Sequence, residues 1–400
     1  MVDVTGLAIL GSTGSIGRQA LDVVRALPDE LRVSALACGS NVDELQAQLV
    51  EHRPAAVWAD APPPGWSPPQ HAPAELAPLE ELAVRDDVDV VLVATTGLAG
   101  LAPTLAALRA GKKVAIANKE VLVVAGAEVR RALAEGAPAG AELRPVDSEH
   151  SAIWQCLWGE RPEAVAQLTL TASGGAFRDL DADDLARVTP EQALAHPTWS
   201  MGRKVTVDSA TLFNKGLEAI EARWLFDVPL SRIEIVQHRE SVVHSLVRFV
   251  DGSVKAQLGE PDMRLPIQCA LTYPERRPAR HVAPLDLAST GRLHFEPVDH
   301  ERFPALALAL EAGRREDGSA AALSGADEAA VAHFLAGRLG FTEIATLLGS
   351  ALDAHEPVDE EDIDAVLAAE AWGRGFVDRA VARPGPAAEG RGGLSEGPGA

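Results

Sequence analysis

Cysteine is scarce in this chain. The three that occur, Cys38, Cys156 and Cys269, are far apart and odd in number. They form no cysteine-based zinc pattern, and they suit a reducing cytoplasm, which is the expected location. Basic residues are also in deficit: 36 Lys and Arg stand against 58 Asp and Glu, for a formal net charge of −22. That balance argues against nucleic acid or an anionic membrane as the main partner. An anionic substrate would need a local site that overcomes the global field. No long apolar run is present. The most apolar stretch, "DVVLVATTGLAGLAPTLAAL", carries Gly, Pro and Thr and reads as strand, loop and helix rather than a membrane span. The start, "MVDVTGLAILG", lacks the basic region and cleavage site of a signal peptide. There is no internal repeat.

What is present is enough apolar residue, 47% of 400, to build more than one core, so two or three domains are expected. The first third alternates strand and helix patterns. "LAIL", "RVSALA", "AAVWA", "DVVLVA" and "KVAIA" read as buried strands, with "GRQALDVVRAL", "VDELQAQLVEH" and "APTLAALRAG" as helices between them. This order predicts a parallel sheet wound on both faces. "APPPGWSPPQHAP" reads as a Pro-rich surface loop. From Pro145 the pattern changes. "QLTLTAS", "RIEIVQ", "SVVHSLVRFV" and "SVKAQL" predict a second α/β domain with a partly antiparallel sheet. An extended linker follows. Beyond it Val331, Phe334, Leu335 and Leu339 recur at helix spacing, as do Phe341, Ile344, Leu348 and Leu352. The tail from Pro384 is Gly/Pro-rich and expected to be disordered.

"GSTGSIG" follows the first strand and opens the first helix. Gly11, Gly14 and Gly17 let a backbone pass close to a pyrophosphate, and the helix N-terminus offers N–H groups and a positive dipole end. A glycine-rich turn needed only for packing is the plainer alternative; the strand–turn–helix context favours a dinucleotide. The second strand ends in "ALACGSN", with no acid to hold a free ribose, so NADP is preferred, with Ser40 and Asn41 as donors.

In "HPTWSMGRKVTVDSATLFNKGLEAIEARW", Asp208 and Ser209 read as cap residues of a helix starting near Ala210. Asn214, Lys215 and Glu218 then share one face. An amide, an ammonium and a hydroxyl can hold a phosphate, whereas an isolated Lys–Glu pair would be an ordinary solvated one. The segment "HPTWSMGRK" reads as a mobile loop closing over a ligand. In "PVDSEH", Asp147 and Glu149, taken as extended, face the same way. With Glu218 they would make an oxygen-rich site for Mg²⁺ or Mn²⁺; alone they are equally two surface acids of an acidic protein.

Together, "ILGSTGSIG", "AGLAPTLAALRAGKKVAIANKE", "PVDSEHSAIWQCL", "TASGGAFRD", "HPTWSMGRKVTVDSATLFNKGLE" and "GEPDMRLPIQCAL" resemble the 1-deoxy-D-xylulose 5-phosphate reductoisomerase family. The resemblance implies an α/β protein in three parts: a Rossmann-like NADPH domain over 1–146, an α/β catalytic domain over 147–277, and, after a linker over 278–303, a C-terminal α-helical bundle over 304–383, with the tail over 384–400. It implies a homodimer, a small sugar phosphate as substrate, and NADPH with Mn²⁺ or Mg²⁺ as cofactors. Asp147, Glu149 and Glu218 take the places of the metal ligands. Ser148, Ser173, His196, Trp199, Ser209, Asn214 and Lys215 fall at substrate positions, with Met201 in the closing loop. Lys119 stands at the junction of the two sites as a catalytic and substrate-binding residue. Gly11, Ser12, Thr13, Gly14, Ser15, Ile16, Gly17, Gly39, Ser40, Asn41, Asn118, Glu120 and Gly202 fall at cofactor positions. Ser241 and His244 match active-site positions, although His244 in a strand is equally a core histidine, and His150 is expected behind the metal ligands. The chain departs from the family at Arg239-Glu240 (usually Pro-Gln), at Val121 (usually a small hydroxyl residue), at Ser40 (where a basic residue is often found) and in "LSGADE" (usually "LNAANE"). Two other readings stay open: a plain NAD(P) dehydrogenase without a metal, and a silent paralogue that senses NADP(H).

Overall fold

The computed structural model describes residues 4–382. Seven strands form a first sheet: β1 Thr5–Leu10, β2 Leu31–Cys38, β3 Ala56–Ala59, β4 Glu75–Leu76, β5 Val90–Val93, β6 Lys113–Ile116 and β7 Glu142–Pro145. Their spatial order is β4-β3-β2-β1-β5-β6-β7, with every pairing parallel. The strands are apolar on both faces because both faces are covered. Helices Ser15–Ala26 and Val42–His52 pack on one side, and Leu79–Val84, Leu101–Arg109 and Lys119–Gly136 on the other. The order reverses at β1, which opens a crevice at the carboxyl ends of β1 and β5.

Five strands form the second sheet: β8 Val165–Ala172, β9 Ile233–Gln237, β10 Val243–Phe249, β11 Val254–Leu258 and β12 Glu296–Pro297, in the order β11-β10-β8-β9-β12. Only β8 and β9 run parallel. The segment 278–303 is therefore more than an extended connector. It contains a helical turn, Leu287–Thr290, and lays β12 along β9 as an edge strand. Four helices, Pro304–Arg315, Ser319–Leu335, Phe341–Ala354 and Ile363–Ala382, follow and share one core with the second sheet. The helix carrying Val331, Phe334 and Leu335 ends sooner than the apolar spacing to Leu339 suggests: it stops at Leu335, Gly337 turns the chain with φ 70°, and Leu339 packs from the connector. The tail expected to be disordered from Pro384 lies outside the described residues.

The element that positions the site is the helix Phe213–Phe226. Every residue from Phe213 to Ala222 is buried. Gly216 permits the approach of helix Pro304–Arg315, since a Cβ there would stand 2.3 Å from the Ala309 Cβ. Asp208 and Ser209 do not cap this helix. They lie inside a separate preceding helix, Arg203–Thr211, and the break falls at Leu212, which is left-handed at φ 60°. The Asp208 carboxylate is engaged by Lys204 one turn earlier, so it is not free to cap. Nothing in the identity of a leucine signals a left-handed residue.

Phe213→Ala removes a fully buried ring between the second sheet and the helical bundle. Urea unfolding should show a loss of about 3–5 kcal/mol; an unchanged midpoint would place the core elsewhere.

Candidate active site

The carboxyl ends of the first sheet, the second sheet and helix Phe213–Phe226 enclose a cavity of ≈ 350 Å³. Gly14, Ser15 and Ile16 enter it from the turn after β1, Asn118, Lys119 and Glu120 from the turn after β6, and Asp147, Ser148 and Glu149 from the turn after β7. Ser173 follows β8, Ser241 and His244 flank the start of β10, and Ser209, Asn214, Lys215 and Glu218 come from the broken helix pair. The irregular segment 195–202 lies across the opening and contributes His196, Trp199, Met201 and Gly202.

The "PVDSEH" segment is not extended. Asp147 is the N-cap of helix Ser148–Leu157, its Oδ1 accepting the Ser148 N–H at 3.1 Å, and Glu149 sits in the first helical turn. The two carboxylates converge because the cap residue has left the strand before the helix begins. One carboxylate oxygen each from Asp147, Glu149 and Glu218 lies within 4.8 Å of the others. Burial alone would neutralise such a group, so each needs cations. Lys119 Nζ lies 3.1 Å from Asp147 Oδ2 and 3.5 Å from Glu218 Oε1, and donates to Asn214 Oδ1 at 2.6 Å. Lys215 Nζ donates to Glu149 Oε1 at 2.8 Å and to Glu218 Oε2. Asn214 Nδ2 donates to Glu218 Oε1.

These partners divide the trio. Burial pushes the Asp147 carboxyl up, but the Lys119 charge and the His150 ring outweigh it and hold it well below the usual range. Burial and then the neighbouring Glu149 raise Glu218. Behind the trio, the fully buried His150 donates from Nε2 to the Glu218 carbonyl at 2.8 Å. Its Nδ1 stands 3.6 Å from Asp147 Oδ2 and 3.4 Å from Glu221 Oε2. Asp147 Oδ2 is buried and makes no hydrogen bond. A hard divalent ion fits this oxygen set, which is carboxylate-rich and has one such oxygen that is ion-paired but makes no hydrogen bond.

Beside the acids lies a patch of neutral hydrogen-bonding groups. His196 Nδ1 accepts the N–H groups of Thr198 at 3.1 Å and Trp199 at 2.9 Å. The ring proton is therefore on Nε2, 3.1 Å from Ser173 Oγ. Ser173 Oγ also accepts the Gly175 N–H at 3.3 Å. With both lone pairs engaged, the Ser173 hydroxyl proton is directed outward as a donor. Burial, helped by Arg178, pushes the His196 pKa down to about 4, so the ring stays neutral. Trp199 lies over His244 with ring centroids 6.2 Å apart. His244 is itself buried and lines the cavity.

The glycine turn divides its labour. Gly11 is left-handed at φ 95°, and a Cβ on Gly17 would stand 2.3 Å from the Gly11 carbonyl oxygen. Those two glycines fold the turn, and Gly14, Ser15 and Ile16 face the cavity. Gly11, Ser12, Thr13 and Gly17 do not line it, and neither do Gly39, Ser40 and Asn41, which are exposed at the end of β2. The Asn41 side chain caps helix Val42–His52. The Asn118 amide is used internally: Nδ2 donates to the Thr95 and Gly97 carbonyls, and Oδ1 accepts the Val121 N–H. Thr95, Thr96 and Met263 line the cavity as well and were not singled out from the sequence. For all three a signal was available: "VATTG" follows a strand beside the glycine turn, and Met263 lies within the motif "GEPDMRLPIQCAL".

The sequence departures have structural partners. Arg239 pairs with Asp179 at 2.5 Å and with Glu296 of β12 at 3.4 Å. Glu240 pairs with His294 at 2.5 Å and with His238 at 3.1 Å. They fasten the 278–303 segment to the turn that carries Ser241, a left-handed residue at φ 53°. Val121 is fully buried in the first core.

Comparison with known proteins gives one consistent result. Three sequence models match: 1-deoxy-D-xylulose 5-phosphate reductoisomerase over residues 7–64 and 67–126, its C-terminal domain over 143–226, and DXP reductoisomerase C-terminal domain over 258–376. The 1-deoxy-D-xylulose 5-phosphate reductoisomerase of Thermomicrobium roseum is 51% identical over 381 residues, covering 94% of this chain and 98% of its own. That of Geobacillus kaustophilus is 50% identical over 377 residues, covering 93% and 98%. Among solved structures, a DOX-P reductoisomerase in complex with NADPH, fosmidomycin and magnesium superposes with a TM-score of 0.86 at 38% identity, over 94% of this chain and 98% of that one. The Zymomonas mobilis 1-deoxy-D-xylulose 5-phosphate reductoisomerase in complex with NADPH gives 0.85 at 37%, over 95% and 100%.

Two measurements check this geometry. In an NMR titration His196 should remain neutral until the pH falls to about 4. The unfolded chain takes up that proton nearer 6.5, so acidification between these values should cost stability, and His196→Gln should remove that part of the slope. Gly17→Ala should weaken NADPH binding by at least about tenfold, because the helix must shift off the turn. A wild-type Kd for that variant would reduce the turn to packing alone.

Proposed function

The chain belongs to the 1-deoxy-D-xylulose 5-phosphate reductoisomerase family, and from that membership we propose that it is an NADP-dependent oxidoreductase of non-mevalonate isoprenoid biosynthesis. It rearranges 1-deoxy-D-xylulose 5-phosphate and reduces the product to 2-C-methyl-D-erythritol 4-phosphate, using NADPH and a divalent metal, Mg²⁺ or Mn²⁺. The observation that carries the reading is the convergence of Asp147, Glu149 and Glu218 beside a separate donor patch, with the glycine turn facing both.

Asp147, Glu149 and Glu218 would hold the metal. The ion supplies Lewis-acid polarisation of neighbouring sugar oxygens, and NADPH supplies the hydride. The protein's own part follows from its geometry. Ser173, with its hydroxyl turned outward, Ser209, Asn214 and Lys215 bind the phosphate, and His196 fixes Ser173 and the adjoining turn. Binding this unreacting group orients the reacting carbons. The Ser148 hydroxyl donates to Glu149 Oε2 at 2.6 Å, so a substrate hydroxyl at Ser148 has a carboxylate within reach for its proton. Lys119 keeps a positive charge at the boundary between the glycine turn and the acids, where negative charge on the substrate oxygens is stabilised. Trp199 and Met201 exclude water when the 195–202 segment is closed. Gly14, Ser15 and Ile16 would receive the cofactor's pyrophosphate, and Gly39, Ser40 and Asn41, exposed at the end of β2, would hold its adenosine end.

We place the protein in the cytoplasm as a homodimer. Its three cysteines are free, and among the described residues no helix is long and apolar enough to cross a membrane. Strand β11 is a sheet edge that carries exposed Val254, with exposed Val250 in the turn before it, which suits pairing with a second copy.

NADPH oxidation with 1-deoxy-D-xylulose 5-phosphate and Mn²⁺ should proceed and should stop on chelation. Asp147→Asn and Glu218→Gln should each lower kcat by at least about a thousandfold while NADPH still binds, because the cofactor turn is on another segment. Full turnover in both variants, or turnover that survives chelator, would leave a metal-free dehydrogenase as the better description.

A further inference from the structure

One buried charge cluster takes no part in the chemistry above. Lys204 lies in the first turn of helix Arg203–Thr211, directly after the 195–202 segment. Its Nζ is shielded from solvent and lies 2.7 Å from Asp208 Oδ2 on the same helix and 2.8 Å from Asp327 Oδ2 on helix Ser319–Leu335. Glu120, at the head of helix Lys119–Gly136, is 4.0 Å away. One ammonium thus joins three parts of the molecule: the helix that follows the loop, helix Ser319–Leu335 and the head of helix Lys119–Gly136. Asp327 is fully buried and Asp208 nearly so. An exposed i,i+4 pair on a helix would contribute little, but a charge enclosed by another element's acid cannot be left unpartnered.

The placement of the cluster gives it a task. Gly202, at the junction of loop and helix, offers no side-chain cap. The junction is held instead by Thr206, whose hydroxyl donates to the Gly202 carbonyl at 2.8 Å, and by the Lys204 clasp. Two of the clasp's acids are sequence neighbours of site residues: Glu120 adjoins Lys119, and Asp208 adjoins Ser209. Downstream, the left-handed Leu212 passes the helix direction on to Asn214 and Lys215. Burial pushes both carboxyls up, Asp208 further because of the Asp327 charge beside it, while Lys204 pulls both the other way, which suits two acids sharing one lysine.

We propose that Lys204, gripped by Asp208 and Asp327, is a positioning residue that fixes the hinge on which the 195–202 segment closes, and so holds Ser209, Asn214 and Lys215 in register with the substrate phosphate. The phosphate part of this statement rests on the function proposed above; the hinge part does not.

The test uses the full chain in two measurements. Amide hydrogen exchange of the ligand-free protein reads the hinge without any reaction. Lys204→Met and Asp327→Leu should speed exchange across 195–205 by at least about tenfold, with the two sheets keeping their protection. Steady-state kinetics should show KM for 1-deoxy-D-xylulose 5-phosphate raised about tenfold, with kcat and the KM for NADPH within about twofold. Lys204→Arg and Asp327→Asn, which retain a donor and an acceptor, should stay near wild type in both. Unchanged exchange over 195–205, or a rise spread evenly over the chain with a matching fall in Tm, would overturn the proposal. So would an unchanged sugar-phosphate KM in an active, folded Asp327→Leu. If the wild-type chain does not turn over the sugar phosphate, the function is wrong, and the exchange data still decide the hinge.

Discussion

Holding several carboxylates in one small volume away from water is the constraint to which the rest of the structure answers. Two like charges about 4 Å apart at an effective dielectric of 20 repel by roughly 4 kcal/mol, before any cost of burial. Asp147, Glu149 and Glu218 meet at that scale, with Glu221 one turn beyond. They are tolerated because Lys119, Lys215 and His150 stand among them at hydrogen-bonding or ion-pair distance. The pairing is mutual: remove one sign and the other becomes an uncompensated buried charge. Such a set keeps a strong demand for cationic charge, and a divalent ion meets it.

The scaffolding follows from that demand. The helix Phe213–Phe226 presents Asn214, Lys215, Glu218 and Glu221 while being enclosed on every side, and only close packing at Gly216 and the ring of Phe213 make such enclosure possible. The strand ends of the first sheet bring Lys119 and Asp147 to the same place from turns after neighbouring strands. The glycine turn after β1 faces them across the crevice where the strand order reverses. The glycine turn and the Ser173–His196 patch thus reach the cavity on different segments, as do the acids.

The second sheet and its edge do quieter work. Arg239 and Glu240, which depart from the family pattern, find one acid, Glu296, and one histidine, His294, on the 278–303 segment and bind it against β9. The departure therefore came with its own partners, and the turn that holds Ser241 at a left-handed backbone angle stays fastened.

Much of this was legible in the residues alone. Alternating apolar runs and helical spacing determined the wound parallel sheet, the mixed second sheet and the helical end, because periodicity records which faces are buried. The motif segments determined the family and marked the candidate metal and phosphate residues, since side-chain chemistry at fixed spacing is local information. The tertiary structure decided what depends on neighbours distant in sequence. Asp147 and Glu149 converge from a helix cap rather than a strand, the helix breaks at Leu212 instead of starting at Ala210, and residues 296–297 join a sheet. Lys204 meets Asp327 across 123 positions of chain, and Met263, inside a quoted motif but given no role there, reaches the cavity. A residue's pattern shows whether it is buried; only the folded chain shows what it is buried against, and for a charge that partner decides everything.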